Sequence, residues 1–480
     1  MTAKRVWICA GLLTAVCIAL YLLWAAGGLL PRWIDWKDRT LPAASGRYEI
    51  QLRHKGVTVL YENAPVWHSP EHVLVQDVLS IDIDDDSAQE LILLCWKRGR
   101  YGRLRPFWVE EDEQGWSQHI FVYEYDDKTL RPKWMSSYIG EDVAHMAAGE
   151  RAAAPSYRLL LTSPDGTLSC WVWDSWGFSR EDTDVTFTVF GDNLIHEPIY
   201  RYGLRNDGDF GFLFENFRDI LSQSDVSIIN QETPLTDNPL LYSGYPRFAT
   251  PVGVGQAIVD AGFDVVTCAT NHALDAGEYG LGFTKEFFDS HDVRCLGIGT
   301  GEAQDDCPYG LLTRSGIRFA LLNYTYGTNG LTLPEDARCT VNLLSDADRV
   351  RADLAAARAG ADFVIVFVHW GTEYAAQPDD FQREWAQVFL EGKADVVVGT
   401  HPHALQPYEV LTDDDGHEML IYYSIGNFVS AQNEPSCIKG GMARFTVSLT
   451  PNGYSVTQYS LQPLEITAQG GGKYITDLVR

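Results

Sequence analysis

The sequence has no C-x-x-C pair and few basic residues, and each shortage argues against a class of site. Nine cysteines are scattered over 480 residues. Neither a zinc knuckle nor a thioredoxin-type site is expected from them, and a disulfide framework is not expected at this density. The 37 Lys and Arg residues face 65 Asp and Glu residues, which gives a formal net charge of −28. This balance argues against a nucleic acid partner, because binding a phosphate backbone requires a basic face.

A second long apolar run is also missing, and the one that exists lies at the N-terminus. Residues 6–31 carry no charge, and a helix needs about 20 residues to span a bilayer. The core of a cleaved signal peptide is shorter, roughly 7–15 residues. We therefore predict a cytoplasmic tip (1–5), a transmembrane signal anchor (6–30) and a linker (31–45). The bulk of the chain is then extracytoplasmic on a single-pass membrane protein; cleavage after the small residues 25–28 stays open.

The composition is 45% hydrophobic and 12% aromatic, enough for two or three folded domains. Short alternating or aromatic runs separated by turn residues fill residues 46–183, which predicts a β-rich accessory domain for recognition or docking. Asp82, Asp84 and Asp86 resemble the acidic turn of FG-GAP-type propeller repeats, whose calcium-binding form would use them as ligands. This makes a propeller-like fold one alternative. A solvated acidic turn is favoured, because acidic runs usually face solvent.

From residue 184 the pattern changes to strands that alternate with helices, which predicts a largely parallel α/β sheet covered on both faces. The chain then ends in antiparallel strands. A capping pattern at Ser345 and Asp348 starts one helix, and Gly392 ends the next. Strands are predicted over 185–190, 226–229, 263–268, 317–324, 363–368, 396–398, 420–423, 443–449 and 454–461, and helices over 210–221, 252–261, 280–288 and 345–359.

Polar clusters follow six of these strands, and ligands of open α/β sheets bind at the carboxyl ends of the strands. In the cluster after 396–398, His401 and His403 are two residues apart, and an extended backbone would turn both rings the same way. Each cluster alone is explained by a helix cap, a turn or a buried core histidine. Six together favour a metal site. The candidates are Asp192, His196, Glu232, Asn271, His272, Asp275, His369, Glu373, His401, His403 and Asn427.

Oxygen and imidazole donors without thiolate suit divalent Mn, Fe, Zn or Mg. The number of candidates exceeds the ligands of one tetrahedral ion, so we expect two ions. Two adjacent ions can clamp a phosphoryl group and activate water.

At these residues the chain resembles the CapA family of bacterial capsule and poly-γ-glutamate synthesis proteins. The resemblance covers about residues 184–461 and rests on six motifs in the family's order: FGDNLIH, NQETPLT, AGFDVVTCATNHALDAGEYGL, VHWGTEY, GTHPHALQP and YSIGNFV. It implies a calcineurin-like metallophosphoesterase domain over 184–466, a four-layer α/β/β/α sandwich, with a C-terminal tail over 467–480.

The resemblance also implies residue roles. His272 would donate a proton to the leaving group, Asp275 would orient His272, and Glu373 and Asn427 would contact the ligands or the substrate. The metal ligands would be Asp192, His196, Glu232, Asn271, His369, His401 and His403.

Two motifs of the phosphoesterases, D-x-H and G-D-x-x-D, are missing from the expected strand ends. Asp289-Ser290-His291 spells D-x-H but follows a predicted helix. Thr270 stands where the family usually has Asn.

The function that follows is a metal-dependent hydrolase, a phosphoesterase acting in the synthesis of a capsule or poly-γ-glutamate polymer. The alternative is a non-catalytic metal-binding subunit of a polymer synthesis or export complex. The expected partners are the cell membrane, an anionic polymer or its precursor, and other capsule-synthesis membrane subunits.

Overall fold

The computed structural model describes residues 14–24, 27–43, 46–101, 109–150, 157–300, 308–450 and 453–479. The chain divides into two compact units, Met1–Asp182 and Thr183–Arg480. Residues 14–24 are helical. Within these ranges no helix is long and apolar enough to cross a membrane. The predicted cytoplasmic tip and part of the predicted anchor lie outside the described residues.

The described residues of the first unit form three four-stranded antiparallel sheets, each built from consecutive strands. Propeller blades are also four-stranded sheets, and the propeller-like alternative stays a prediction. A strand over Arg39–Ala43 lies inside the predicted linker 31–45, so ordered structure begins earlier than we expected. The strands are β1 Arg39–Ala43, β2 Tyr48–Arg53, β3 Gly56–Tyr61, β4 Ala64–His68, β5 Leu74–Ile81, β6 Glu90–Arg98, β7 Trp116–Asp126, β8 Thr129–Met135, β9 His145–Glu150, β10 Tyr157–Thr162, β11 Leu168–Asp174 and β12 Gly177–Glu181.

The acidic turn after β5 forms an ion pair with the lysine side chain of Lys133. Lys133 Nζ lies 2.6 Å from a carboxylate oxygen of Asp84 and 2.6 Å from one of Glu90. Asp82 accepts backbone N–H bonds from Asp84, Asp85 and Ser87. The turn is therefore held by an internal ion pair and by Asx-type hydrogen bonds.

The second unit contains two large mixed sheets. The eight-stranded sheet has the order β18-β17-β14-β13-β28-β29-β30, with β27 beside β13, and the six-stranded sheet has the order β20-β21-β23-β24-β26-β25. The strands are β13 Val185–Asn193, β14 Val226–Asn230, β15 Leu235–Thr236, β16 Thr250–Pro251, β17 Val265–Thr267, β18 Arg294–Leu296, β19 Ile298–Gly299, β20 Gly310–Arg314, β21 Ile317–Thr325, β22 Thr340–Val341, β23 Phe363–His369, β24 Val396–Thr400, β25 Tyr408–Thr412, β26 Glu418–Tyr422, β27 Asn427–Val429, β28 Lys439–Thr450, β29 Gly453–Ala468 and β30 Tyr474–Leu478.

The two sheets pack face to face. Phe187 and Ile228 of one sheet share a buried apolar cluster with Phe319 and Val398 of the other. The outer faces carry separate apolar clusters against the helices. The helices are α1 Glu197–Arg205, α2 Arg218–Ser222, α3 Val252–Ala261, α4 Gly277–Asp289, α5 Ala347–Gly360 and α6 Asp380–Glu391. The predicted α/β class is confirmed, and the layers run helix, sheet, sheet, helix.

Several local predictions differ from the structure. The alternating strands and helices predicted a largely parallel sheet, whereas the structure has two mixed sheets whose inner faces pack on each other, in the four layers that the family resemblance implied. The helix predicted over 210–221 is two 3₁₀ turns followed by α2, which lets Phe210, Phe214 and Phe217 all reach the core. The N-cap of α5 is Asp346, not Ser345: the Asp346 carboxylate accepts the N–H groups of residues 348 and 349. The predicted tail 467–480 contains β30, which pairs with β29.

Candidate metal centre

The polar clusters of the second unit meet where the carboxyl ends of parallel strands from both sheets come together. Asp192 lies at the end of β13, and Glu232 follows β14. His369 ends β23 of the other sheet, and His401 and His403 follow β24. All five side chains are buried. The fold therefore brings together residues up to 211 positions apart, as the strand-end argument predicts.

Two glycines allow this convergence. A Cβ atom on Gly191 would lie 1.9 Å from the carbonyl oxygen of Gly426, and one on Gly399 would lie 2.1 Å from that of Tyr423. A side chain at either position would push apart the backbones that carry Asp192 and His401.

The two histidines of the H-x-H pair are not extended. Their φ angles are +95° at His401 and +54° at His403, and β24 ends at Thr400. The expectation of an extended backbone was wrong. The rings still lie 5.8 Å apart, because the turn itself brings them to the same edge.

Two groups of donor atoms at this centre could hold a metal ion, and His403 belongs to both; a third group, Asp82, Asp84 and Asp86, lies in the acidic turn of the first unit. Asp192, Glu232 and His403 form one group, and Glu373, His401 and His403 form the other. In each group the ligand atoms lie within 4.8 Å of one another. Nδ1 of His403 lies within hydrogen-bond distance of Asp192 and Asn427, so its Nε2 can serve one ion at either group. We expected Glu373 to contact the ligands or the substrate, but its carboxylate is itself a member of a donor group.

The hydrogen bonding distinguishes the two buried carboxylates. Asp192 accepts bonds from Asn230 Nδ2 (2.8 Å), the His401 N–H (3.3 Å) and His403 Nδ1 (3.0 Å). Both oxygens of Glu232 are buried without a hydrogen-bond partner, and so is Nδ1 of His401. Buried polar atoms are normally paired. Unpaired carboxylate and imidazole atoms that face other donors therefore fit a bound divalent cation.

The electrostatics point the same way. Burial raises the pKa of Glu232 well above its ordinary value, and the nearby Asp192 carboxylate raises it further. Burial alone would lower the pKa of His403, but the Glu232 and Asp192 carboxylates outweigh it and raise that pKa to about 9. Burial and the neighbouring imidazoles lower the pKa of His369 and of His401. The lowered pKa values keep His369 and His401 neutral, as metal binding requires, whereas the raised pKa values favour protons on Glu232 and His403 that a metal ion would have to displace.

His369 joins the centre through Asn271. Its Nε2 lies 2.9 Å from Asn271 Oδ1, and its Nδ1 lies 2.9 Å from Thr400 Oγ1. Its Nε2 is also 3.7 Å from Glu232 Oε1. Asn271 Oδ1 and His369 Nε2 are therefore within hydrogen-bond distance of each other beside Glu232, and their role as metal ligands stays a prediction.

Next to these donors lies a histidine–carboxylate pair. His272 Nδ1 donates to Asp275 Oδ2 at 2.7 Å, and the same oxygen accepts the Phe248 N–H at 2.8 Å. The pair is nearly buried, with the side chains of His272 and Asp275 9% and 1% exposed. Holding Nδ1–H in this way leaves Nε2 as the ring atom that can exchange a proton.

His196 lies at the edge of the centre. Its Nδ1 faces the carbonyl oxygen of Leu194 at 3.2 Å, and its ring packs edge-on against Phe248. Burial lowers its pKa to about 4. Among the described residues, His196 is not a member of either donor group, and only Nε2 could serve as a ligand.

Asn427 orients His403. Its Oδ1 lies 2.9 Å from His403 Nδ1, and its Nδ2 donates to Gln432 Oε1 and to the Cys437 carbonyl. This matches the common pattern in which a side-chain oxygen fixes the ring of a metal-binding histidine.

Sequence reasoning missed the positioning roles of Asn329, Gln382 and Gln406. Asn329 accepts from Asn271 Nδ2 at 3.3 Å and lies 3.4 Å from His272 Nδ1. Gln406 donates to the carbonyl oxygens of residues 375 and 377 and accepts from Gln382 Nε2, which fastens the loop that carries Glu373. Of these residues, only Gln406 could have been found from the sequence, because it belongs to the GTHPHALQP motif. Loop residues such as Asn329 follow no hydrophobic periodicity from which their position could be predicted.

Comparison with known proteins places this unit in context. The family profile described as bacterial capsule synthesis protein PGA_cap matches residues 186–432, just over half of the chain. The sequence is 28% identical over 263 residues to the PGA biosynthesis protein CapA of Bacillus subtilis (strain 168), covering 52% of this chain and 64% of that protein. It is 28% identical over 268 residues to the capsule biosynthesis protein CapA of Bacillus anthracis, covering 53% and 61%. The chain thus matches less than two thirds of each relative.

Solved structures that match part of this chain include the NAD nucleotidase NadN of Haemophilus influenzae (TM-score 0.35, 13% identity, 61% of this chain and 53% of that one). The calcineurin-like phosphoesterase YfkN of Bacillus subtilis is another (TM-score 0.35, 13% identity, 59% and 90%). TM-scores below 0.5 do not establish shared chemistry.

Proposed function

The chain belongs to the bacterial capsule synthesis protein family PGA_cap, and we propose that it is a metal-dependent phosphoesterase of capsule or poly-γ-glutamate synthesis. The observation that carries the proposal is the unpaired, buried carboxylate of Glu232 among histidines, beside the His272–Asp275 pair. Burying a carboxylate without hydrogen-bond partners would destabilise a purely structural core, whereas a cation site requires such a carboxylate as a ligand.

The residues that would hold divalent ions are Glu232, His403 and Asp192 on one side and Glu373 and His401 on the other, with His369 and Asn271 adjoining. Such ions supply Lewis-acid polarisation of a phosphoryl group and neutralise its charge. They also explain how an anionic substrate can approach three carboxylates that would otherwise repel it.

His272 is the proposed general acid. Asp275 holds its Nδ1–H, so Nε2 can carry the proton that the leaving alcohol takes up as the phosphoester bond breaks. The Phe248 N–H and His272 together occupy Asp275 Oδ2, which fixes the carboxylate and therefore the imidazole plane.

We place this chemistry at the outer side of the cell membrane, with the apolar run 6–30 as a single-pass anchor. The proposed substrate is an anionic envelope polymer or its precursor. The missing D-x-H and G-D-x-x-D motifs favour the second candidate, a metal-binding subunit of a polymer synthesis or export complex that does not turn over.

One assay separates the two. The full-length protein, purified with manganese supplied, is tested with p-nitrophenyl phosphate and bis(p-nitrophenyl) phosphate. The phosphoesterase account predicts hydrolysis that EDTA abolishes and that His272→Ala loses while its metal content stays unchanged. Bound metal without hydrolysis of either ester would support the non-catalytic subunit, and a metal-free wild type would contradict both.

A further inference from the structure

An exposed apolar loop borders the His272 side of the centre. This rim loop, residues 238–248, reads NPLLYSGYPRF and contains no carboxylate in a chain of net charge −28. Leu240 is 92% exposed, Tyr245 77% and Leu241 43%. Large apolar side chains that cluster in water on one loop usually mark a binding surface.

Hydrogen bonds within the rim loop fix its backbone. Ser243 and Ala249 exchange both backbone hydrogen bonds at 3.1 Å, which closes the loop below Tyr245. Ser243 Oγ donates to the Arg247 carbonyl, and Asn238 Oδ1 accepts the Leu240 N–H. The backbone that carries the exposed side chains is therefore held by the hydrogen bonding of the loop itself.

The loop is also fastened to the centre. A Cβ atom on Gly244 would lie 2.9 Å from the backbone nitrogen of Glu197, so the loop packs against the residue that follows His196. The buried ring of Phe248 packs edge-on against both His196 (5.2 Å) and His272 (4.8 Å). Tyr245 in turn packs on Phe248, with ring centroids 6.5 Å apart. A continuous row of rings thus leads from solvent to the proposed general acid.

We infer that the rim loop binds the alcohol portion of the substrate, and that Tyr245 is a specificity-determining residue that packs against an uncharged ring in that portion. The inference rests on the proposed function, since the group that departs from the phosphorus must lie on the side of the proton donor. Its substrate class is phosphoesters of ring-bearing alcohols. An anionic membrane surface is a poor occupant, because a protein of net charge −28 is repelled by it.

The test compares an aryl ester with a small alkyl ester. In manganese-loaded full-length protein, Tyr245→Ala should raise KM for p-nitrophenyl phosphate about tenfold, the size of a lost aromatic contact. KM for ethyl phosphate should stay within about twofold, as should kcat for both. Tyr245→Phe keeps the ring and should keep the wild-type KM. Tyr459→Ala, an exposed tyrosine on β29, is the matched control and should change neither constant.

An equal change for both esters, or no change for the aryl ester, overturns the inference while the proposed function stands. If the wild type hydrolyses neither ester, the proposed function fails, and calorimetric binding of phenylphosphonate and methylphosphonate decides the inference. A wild-type preference for phenylphosphonate that Tyr245→Ala removes supports the subsite. No preference in the wild type, or one that survives in Tyr245→Ala, overturns it.

Discussion

His403 Nδ1 lies 3.0 Å from Oδ2 of Asp192, although the two residues are 211 positions apart and Asp192 ends a strand of one sheet while His403 follows a strand of the other. The other nitrogen of the same ring, Nε2, lies 3.9 Å from the unpaired Oε1 of Glu232. One imidazole therefore joins the carboxylates of β13 and of the loop after β14 to the histidine turn after β24. The packing of one sheet on the other thus sets the geometry of the proposed metal centre.

The unpaired carboxylate of Glu232 predicts how stability responds to metal. In EDTA, Glu232→Gln should be at least as stable as the wild type, because no hydrogen bond is lost. With free manganese at about 100 times its Kd, the wild type should gain about 2.7 kcal/mol. Glu232→Gln should gain little, because the ligand charge is gone. Thermal unfolding with and without manganese measures both effects.

Glu215→Gln, at an exposed position of the same unit, serves as the control and should respond to manganese as the wild type does. A loss of more than about 1 kcal/mol by metal-free Glu232→Gln would show that the carboxylate has a structural partner. If manganese raised the free energy of unfolding equally in Glu232→Gln and Glu215→Gln, Glu232 would not be a metal ligand.

The hydrogen bond between Asp275 and His272 predicts a defect in turnover without a defect in metal binding. Asp275→Asn removes the negative charge that favours Nδ1–H and the protonated ring, and its NH₂ can take the place of an acceptor oxygen, so the imidazole loses its fixed tautomer. We expect kcat for p-nitrophenyl phosphate to fall about 100-fold, with unchanged manganese content. Steady-state kinetics and metal analysis of the same preparation test this. Asp260→Asn, on the exposed side of α3, should keep wild-type kcat; a kcat for Asp275→Asn within a factor of two of wild type would rule out the orienting role.

The hydrogen bonds of Gln406 predict that one substitution will lower both the stability of the fold and the affinity for metal at the group of Glu373, His401 and His403. Gln406→Ala removes three hydrogen bonds, two to the loop that carries Glu373 and one from Gln382. We expect a loss of about 2–4 kcal/mol in the free energy of unfolding and weaker manganese binding. Urea unfolding and calorimetric titration measure the two. Gln458→Ala on β29 is exposed and should stay within about 0.5 kcal/mol; if Gln406→Ala behaves like it, the loop is held by other contacts.

The sequence was most informative where apolar runs are long and bounded. Helix α3 has the predicted bounds, and the runs that begin at Val185, Ile317 and Phe363 are strands. The apolar runs could not predict that one sheet packs on the other. A run such as Phe363–His369 is buried on both faces, and its residues read the same whether a helix or another sheet covers them. Only the family resemblance indicated the four layers.

The candidate site was predictable in its members and less so in its geometry. The strand-end rule brought Asp192, Glu232, His369 and His403 together, since it depends only on topology. The position of Glu373 depends on the amides of Gln382 and Gln406, and that of His272 on Phe248 and Asn329, through contacts between distant loops. Likewise, Ser345 and Asp346 are both good capping residues, and the register of α5 decides between them.

The measurement that tests the metal centre most directly is the manganese content of three full-length proteins by mass spectrometry: the wild type, His403→Ala and His291→Ala. His403 belongs to both donor groups, whereas His291 is an exposed histidine after α4. The account predicts bound metal in the wild type and His291→Ala and almost none in His403→Ala. A wild type without metal, or a His403→Ala protein with wild-type content, would contradict it.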